Sequence, residues 1–232
     1  MTQHTPSSEP KIGTLYDYWR STAGWRVRIG LHLKGLGANR EAVDLRPTVS
    51  GQLTPEYRAI SVQGRVPLWV QTSEDKQPPE LGQSMAILDW LEETYPEPSL
   101  LPQKAWARAQ SRSIAFMIAS DIHPLNNIGV LGQLRARFDA NDEQIEGWYH
   151  HWLRAGLDAV EEKLARLDYR SGWVFDDRPS LAEICIIPQL YNARRFHFAL
   201  DAYARLRAIE THAMTHAAFH ETAPDQQSDA QV

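Results

Sequence analysis

The sequence predicts an α/β domain over residues 12–95 followed by an all-α helical domain over residues 104–221. Three observations lead there. The chain has 232 residues, 43% of them hydrophobic, which is enough for two modest cores when a domain needs about 100–200 residues. Before Pro96 the apolar residues come in short runs broken by Gly and Pro, whereas after it they recur at long helical periods. Between the two, PEPSLLPQ at 96–103 is spaced by prolines in the manner of an inter-domain linker.

Residues 1–10 are polar and read as a frayed end. Thr14-Leu15-Tyr16-Asp17-Tyr18-Trp19 reads as an opening strand. The stretch from Trp25 to Leu33 alternates strictly, which fits a half-exposed strand better than a one-faced helix. A helix there would put Trp25, Ile29 and Leu33 on one stripe and Val27 and Leu31 on another, so it would have to be buried on two sides. Lys34-Gly35 then supplies a cation and a glycine, both helix stops. Val66 to Val70 reads as another strand, and Thr72 to Pro79 as a hairpin turn. Ser84 to Tyr95 is a helix, with Met85, Leu88, Leu91 and Tyr95 at helical spacing and Pro96 stopping it. Past the linker, Ile145, Trp148, Trp152, Leu153, Leu157, Val160, Leu164 and Leu167 trace one long helix. Ser180-Leu181-Ala182-Glu183 is a capping box that starts the next. From about Thr222 the composition turns polar, and this end too is expected to fray.

Composition narrows the function. A net charge of -5 leaves no basic field for nucleic acid and no polybasic membrane anchor. No apolar run approaches the ~18 residues of a membrane span, and the start lacks the apolar core of a signal peptide. A soluble cytoplasmic protein acting on a small molecule or another protein is expected. The single cysteine, Cys185, sits in the apolar string EICIIP; it can form no internal disulfide, completes no two-cysteine metal or redox motif, and reads as a buried thiol.

The chemistry concentrates in three places. Trp19-Arg20-Ser21-Thr22-Ala23-Gly24-Trp25-Arg26 is a strand end followed by hydroxyl and small residues. If these open a helix, the unpaired amides and partial positive charge there let a hydroxyl hold a bound thiolate and lower its pKa; an ordinary Ser/Thr N-cap is the alternative. Val66-Pro67 heads a strand, where a proline marks an unusual turn, a cis bond or a plain edge, and where Val66 could grip a peptide-like ligand. Gln83-Ser84 opens the helix ending at Tyr95, as an anion site or a simple cap.

Together these elements resemble the glutathione site of the glutathione transferases. WRSTAGWRVRIGLHLKG is similar to the signature of the zeta class, which usually reads Ser-Ser-Cys-x-Trp-Arg-Val-Arg-Ile, and SMAILDWLEETYPEPSLLP, SDIHPLNNIGVL and IIPQLYNARRF are similarly close to its bacterial members. The resemblance spans about residues 14 to 220. It implies a thioredoxin-like first domain and a glutathione-dependent cis-trans isomerase of maleylacetoacetate or maleylpyruvate, assembled as a homodimer, the alternatives being a general transferase or dehalogenase of small α-halo acids and a glutathione-binding protein without catalysis. By position it places Ser21 on the glutathione sulfur, with Thr22 as neighbouring or substitute donor. Gln52, Val66 and a cis Pro67 fall along the tripeptide backbone, and Gln83 and Ser84 at its γ-glutamyl end. His123 and Asn127 come from the helical domain, His123 standing equally as a structural residue before Pro124. For the carboxylates of the substrate, arginines are suited by their planar fork. Arg20 and Arg26 flank the thiolate loop, Arg65 precedes Val66, and Arg195 of NARRF aligns with an arginine the family places at the substrate. Arg65 and Arg194 read as surface ion-pair residues. The departure is Ala23, where the family carries a cysteine. Chemistry that needs a protein thiol, such as dehalogenation through a mixed disulfide, is put in doubt, whereas isomerisation needs only the thiolate of glutathione, which adds to the cis double bond and leaves after rotation.

Overall fold

A computed structural model describes residues 11–46, 48–74 and 78–230. The chain divides into two compact units. One ends at Ser99 and takes in the C-terminal segment from His220, and the other is Leu100–Phe219. The predicted tail at 1–10 and the centre of the predicted 72–79 turn lie outside the described residues.

The first unit is built on a four-stranded sheet of β1 (Lys11–Asp17), β2 (Gly37–Ala42), β3 (Leu68–Gln71) and β4 (Glu80–Gly82), in the order β2-β1-β3-β4. β1 runs parallel to β2 and antiparallel to β3, with Leu15 opposite Trp69 and Tyr16 opposite Leu68, and β3 pairs antiparallel with β4. A parallel pair needs a crossover, and α1 (Thr22–Leu33) supplies it. Two further helices, α2 (Pro55–Ile60) and α3 (Ser84–Thr94), complete the unit.

The alternation at 25–33 is settled as a helix, and burial explains why its pattern misleads. Every residue from Gly24 to Leu31 is buried, so no solvent face exists to impose a one-sided period. The two arginines in that run are therefore buried as well. Arg28 ion-pairs with the fully buried Asp17 at the end of β1, donates through Nη2 to the Trp19 carbonyl at 3.0 Å and through Nε to the Thr222 carbonyl at 3.1 Å. Burial pushes the Asp17 carboxyl up, and Arg28 and Arg40 pull it back.

The frayed C-terminus expected from composition is overturned. Thr222 is buried and its hydroxyl accepts from the Trp25 indole at 2.9 Å, while Asp229 pairs with Arg40 of β2. Polar composition describes how such a segment behaves alone; here Thr222 is held by α1, Asp229 by β2, and Gln227 by the carbonyls of Thr222 and Ala223. No strand is predicted at 37–42, yet β2 is there. It is a mostly exposed edge whose Gly-Ala-Asn-Arg-Glu-Ala carries no strand propensity, and its pairing with β1 is what makes it a strand.

The second unit is helical: α4 (Ala105–Phe116), a wide π turn over Met117–Ile122, α5 (Ile128–Phe138), α6 (Asp142–Arg166), α7 (Leu181–Arg195) and α8 (Ala204–Ala213). On α6 the predicted stripe is buried at Ile145, Leu153, Leu157, Val160 and Leu164. Along α7 every residue from Leu181 to Leu190 is buried, Cys185 among them. The capping box forms at its start. Ser180 Oγ accepts from the Ala182 amide, and buried Glu183 accepts from the Ser180 and Val174 amides.

Candidate functional site

In the first unit the three sequence clusters take defined places. Ser21 is the N-cap of α1, in extended backbone, and its Oγ accepts from the Gly24 amide at 3.0 Å. That is the one hydrogen bond of its side chain among the described residues, and Ser21 is half-exposed, so the hydroxyl keeps a proton to donate outward. Thr22, the first residue of the helix, is buried at 4% exposure. Gly24 has a steric reason to be glycine. A Cβ there would lie 1.7 Å from Asp17 Oδ1, so the first turn of α1 sits directly on the buried carboxylate. Arg28 ties that carboxylate to the Trp19 carbonyl, two residues before Ser21, which fixes the loop from behind.

The Val66–Pro67 peptide is cis, as the resemblance implies. Val66 stands ahead of the paired register, which begins at Leu68 toward both neighbours, so no ladder partner faces it. The turn carrying Gln52 packs beside this point: a Cβ on Gly64, whose φ is +60°, would meet the Gln52 carbonyl at 2.9 Å. Gln52 Oε1 is buried without a hydrogen-bond partner among the described residues, an acceptor suited to an incoming N–H. Gln83 caps α3 at φ 70°, a conformation rare for a residue with a side chain, and is held there in part by donating Nε2 to Gln63 at 2.7 Å. Ser84, buried at 5% exposure, follows as the first helical residue. Ser21, Gln52, Val66 and Gln83 thus give one unit a hydroxyl donor, an acceptor without a partner among the described residues, backbone outside the strand ladder and a helix N-terminus.

Arg26, expected at the substrate, is closed off from solvent. An arginine receiving a substrate carboxylate must present its guanidinium to solvent, and Arg26 is 1% exposed, with Nη1 donating to Ser84 Oγ at 3.5 Å. It ties α1 to the start of α3 instead. Arg20 is half-exposed, its guanidinium over the Trp19 ring at 5.1 Å. Arg65 is exposed.

The remaining residues belong to the helical unit. His123 is half-buried at the end of the π turn, its amide donating to the Ile118 carbonyl at 2.9 Å. Asn127 is the N-cap of α5 and accepts from the Gly129 amide. At the end of α7 the paired arginines part company. Arg194 gives both terminal nitrogens to Glu210, whereas Arg195, half-exposed, donates Nη1 to Asn192 Oδ1 at 2.9 Å and lies over the Phe196 ring at 5.6 Å.

Residues 15–99 match the family described as glutathione S-transferase, N-terminal domain. A maleylacetoacetate isomerase of Pseudomonas aeruginosa is 43% identical over 93% of this chain and 97% of its own length. The chain belongs to the zeta class of the glutathione transferases. Among solved structures, a holo maleylpyruvate isomerase described as a bacterial glutathione S-transferase in the zeta class is 38% identical, with a TM-score of 0.86 over 94% of this chain and all of that one. A maleylacetoacetate isomerase from Anaeromyxobacter dehalogenans, solved with glutathione in its active site, is 39% identical, with a TM-score of 0.83 over 95% of this chain and 98% of the other. The zeta-class assignment agrees with the motif at 19–35, Ala23 excepted. Among the described residues no helix is long and apolar enough to cross a membrane.

Proposed function

We propose that this zeta-class chain is a glutathione-dependent cis-trans isomerase of a maleyl-type enedione dicarboxylate, maleylacetoacetate or maleylpyruvate, working as a cytoplasmic homodimer in aromatic catabolism. The observation that carries the reading is the state of Ser21: its oxygen is anchored by the Gly24 amide, and its proton is left to give at the N-terminus of a helix. A hydroxyl so placed stabilises a sulfur anion at neutral pH. Relatives with the isomerase names at 43% and 38% identity support the reaction class.

Bound glutathione supplies the nucleophilic thiolate that makes the double bond rotatable. The chain does the rest. Ser21 donates to the sulfur, with Thr22 buried behind it as the first helical residue. Gln52 and Val66 hold the tripeptide backbone, Pro67 presenting Val66. Gln83 and the Ser84 amide at the α3 terminus take the γ-glutamyl carboxylate. His123 and Asn127 are the contributions proposed from the helical unit, and Arg195 and Arg20 receive the carboxylates of the substrate. Because Ala23 offers no thiol, no step uses a protein sulfur.

The test is a direct assay. Purified protein is mixed with maleylacetoacetate or maleylpyruvate, and loss of the cis enedione is followed with and without glutathione. Glutathione-dependent acceleration is expected with at least one of the two, the faster naming the substrate. Acceleration with neither, or turnover of chloroacids alone, overturns the reading.

A further inference from the structure

Arg195 is held from two directions, and both supports lead to one buried side chain on another helix. Its Nη1 donates to Asn192 Oδ1 at 2.9 Å, one turn earlier on α7. Asn192 is itself fixed, because its Nδ2 donates to the Tyr149 hydroxyl at 2.7 Å. Below the guanidinium lies Phe196, the C-cap of α7, at 5.6 Å from ring centre to Cζ. Phe196 in turn stacks on the Tyr149 ring, with centroids 3.8 Å apart and planes inclined by 13°. Tyr149 is fully buried on α6. Its hydroxyl therefore orients the amide that aims Arg195, and its ring seats the aromatic face on which Arg195 rests.

We infer that Tyr149 is a positioning residue for Arg195: through Asn192 and Phe196 it fixes where the guanidinium meets a substrate carboxylate, and so sets the preference for dicarboxylate over uncharged substrates. The inference rests on the isomerase reading above. The physical need is plain. An arginine side chain loses much of its rotamer freedom when it binds, so a guanidinium already fixed by a hydrogen bond and a ring face binds a carboxylate more tightly and in one geometry. Burial also pushes the Tyr149 phenol up, Arg195 pulling it partly back. Neighbouring Arg194 has no such arrangement, since its guanidinium is closed by Glu210.

The experiment measures malonate, as a non-reacting dicarboxylate, binding by calorimetry to the glutathione-loaded protein, alongside kcat and KM for the cis enedione and for the uncharged electrophile 1-chloro-2,4-dinitrobenzene. Tyr149→Leu removes both supports and is expected to weaken malonate and raise the enedione KM by about tenfold or more. Glutathione affinity and the rate with the uncharged electrophile should stay within about twofold. Tyr149→Phe keeps the stack and loses the hydroxyl, and should give an intermediate loss of about threefold to fivefold; if the leucine variant does not fold, this variant decides. Unchanged malonate affinity in the folded variants overturns the inference, and so does an equal loss with the dicarboxylate and the uncharged electrophile, the sign of a merely structural residue. Wild-type protein that binds malonate in a Tyr149-dependent way but does not isomerise leaves the positioning role standing and removes the isomerase reading.

Discussion

Ser21 and Ser180 each stand at the N-cap of a helix, in extended backbone, with the side-chain oxygen accepting an amide of the first turn. They differ in what becomes of the proton. Ser180 is buried and spends its hydroxyl inside the helical unit: it donates to Glu183 Oε2 at 2.9 Å and lies 2.9 Å from Ser111 Oγ, whose oxygen also takes the Ala182 amide. Ser21 is half-exposed, and no acceptor among the described residues takes its proton. The same residue type in the same local geometry is thus a closed structural joint in one unit and an open donor in the other. What separates them is whether a carboxylate follows three residues on: Glu183 follows Ser180, while Gly24 follows Ser21 and could not be anything larger above Asp17.

Four variants separate the two serines and their surroundings. The largest effect is expected for Ser21→Ala, which should lower kcat by about 10²–10³, the usual loss of one donor to a developing or held anion. Its effect on glutathione affinity, followed by fluorescence titration, should be far smaller; wild-type kcat would return Ser21 to the role of a plain cap. Ser180→Ala should do the reverse, costing about 2–3 kcal/mol in urea unfolding because buried Glu183 and Ser111 lose a partner, with kcat per folded molecule unchanged. A third variant addresses pH. Burial raises the Glu183 carboxyl above its ordinary 4.5, so the native state holds that proton more tightly than the unfolded chain. Its contribution is complete below 4.5 and declines as pH rises through the raised native value. Glu183→Gln should flatten that decline, though not abolish it, because Asp17 is raised in the same direction. The smallest effect is expected for Thr222→Val, which removes the acceptor for the Trp25 indole at a cost of about 1 kcal/mol, or about 2–4 °C in Tm by calorimetry.

How far the sequence carries depends on whether burial leaves a periodic trace. α3 and α6 each bury one stripe, so Leu88 and Leu91, or Leu153, Leu157 and Val160, are visible as helices before any coordinates. α1 is enclosed from Gly24 to Leu31 and loses that trace; its extent follows from the cap at Ser21 and the stop at Lys34-Gly35. β2 is invisible for the opposite reason, since none of its residues is buried and its apolar residues are two alanines. At the candidate site, residue types and spacing bring out Ser21, Val66, Pro67, Gln83 and Ser84. They do not reveal which arginines reach solvent, because Arg26 and Arg20 flank the same loop in sequence while only packing separates them. Tyr149 and Asn192 escape sequence reading for a related reason. They touch no ligand in the proposed scheme, and what marks them are contacts between residues far apart in sequence, such as the hydrogen bond across 43 positions that joins them.

The long-range closure of α1 also bears on how the chain is made. Arg28 and Trp25 find acceptors in Thr222, 194 and 197 positions downstream, across the whole helical unit. On a ribosome working from the N-terminus, the sheet and its first helix emerge early but wait for these acceptors, while the intervening helices can settle from contacts within their own segment. The first unit is therefore completed only when its C-terminal segment has been made, and an extension fused behind Val232 would load the segment that closes it.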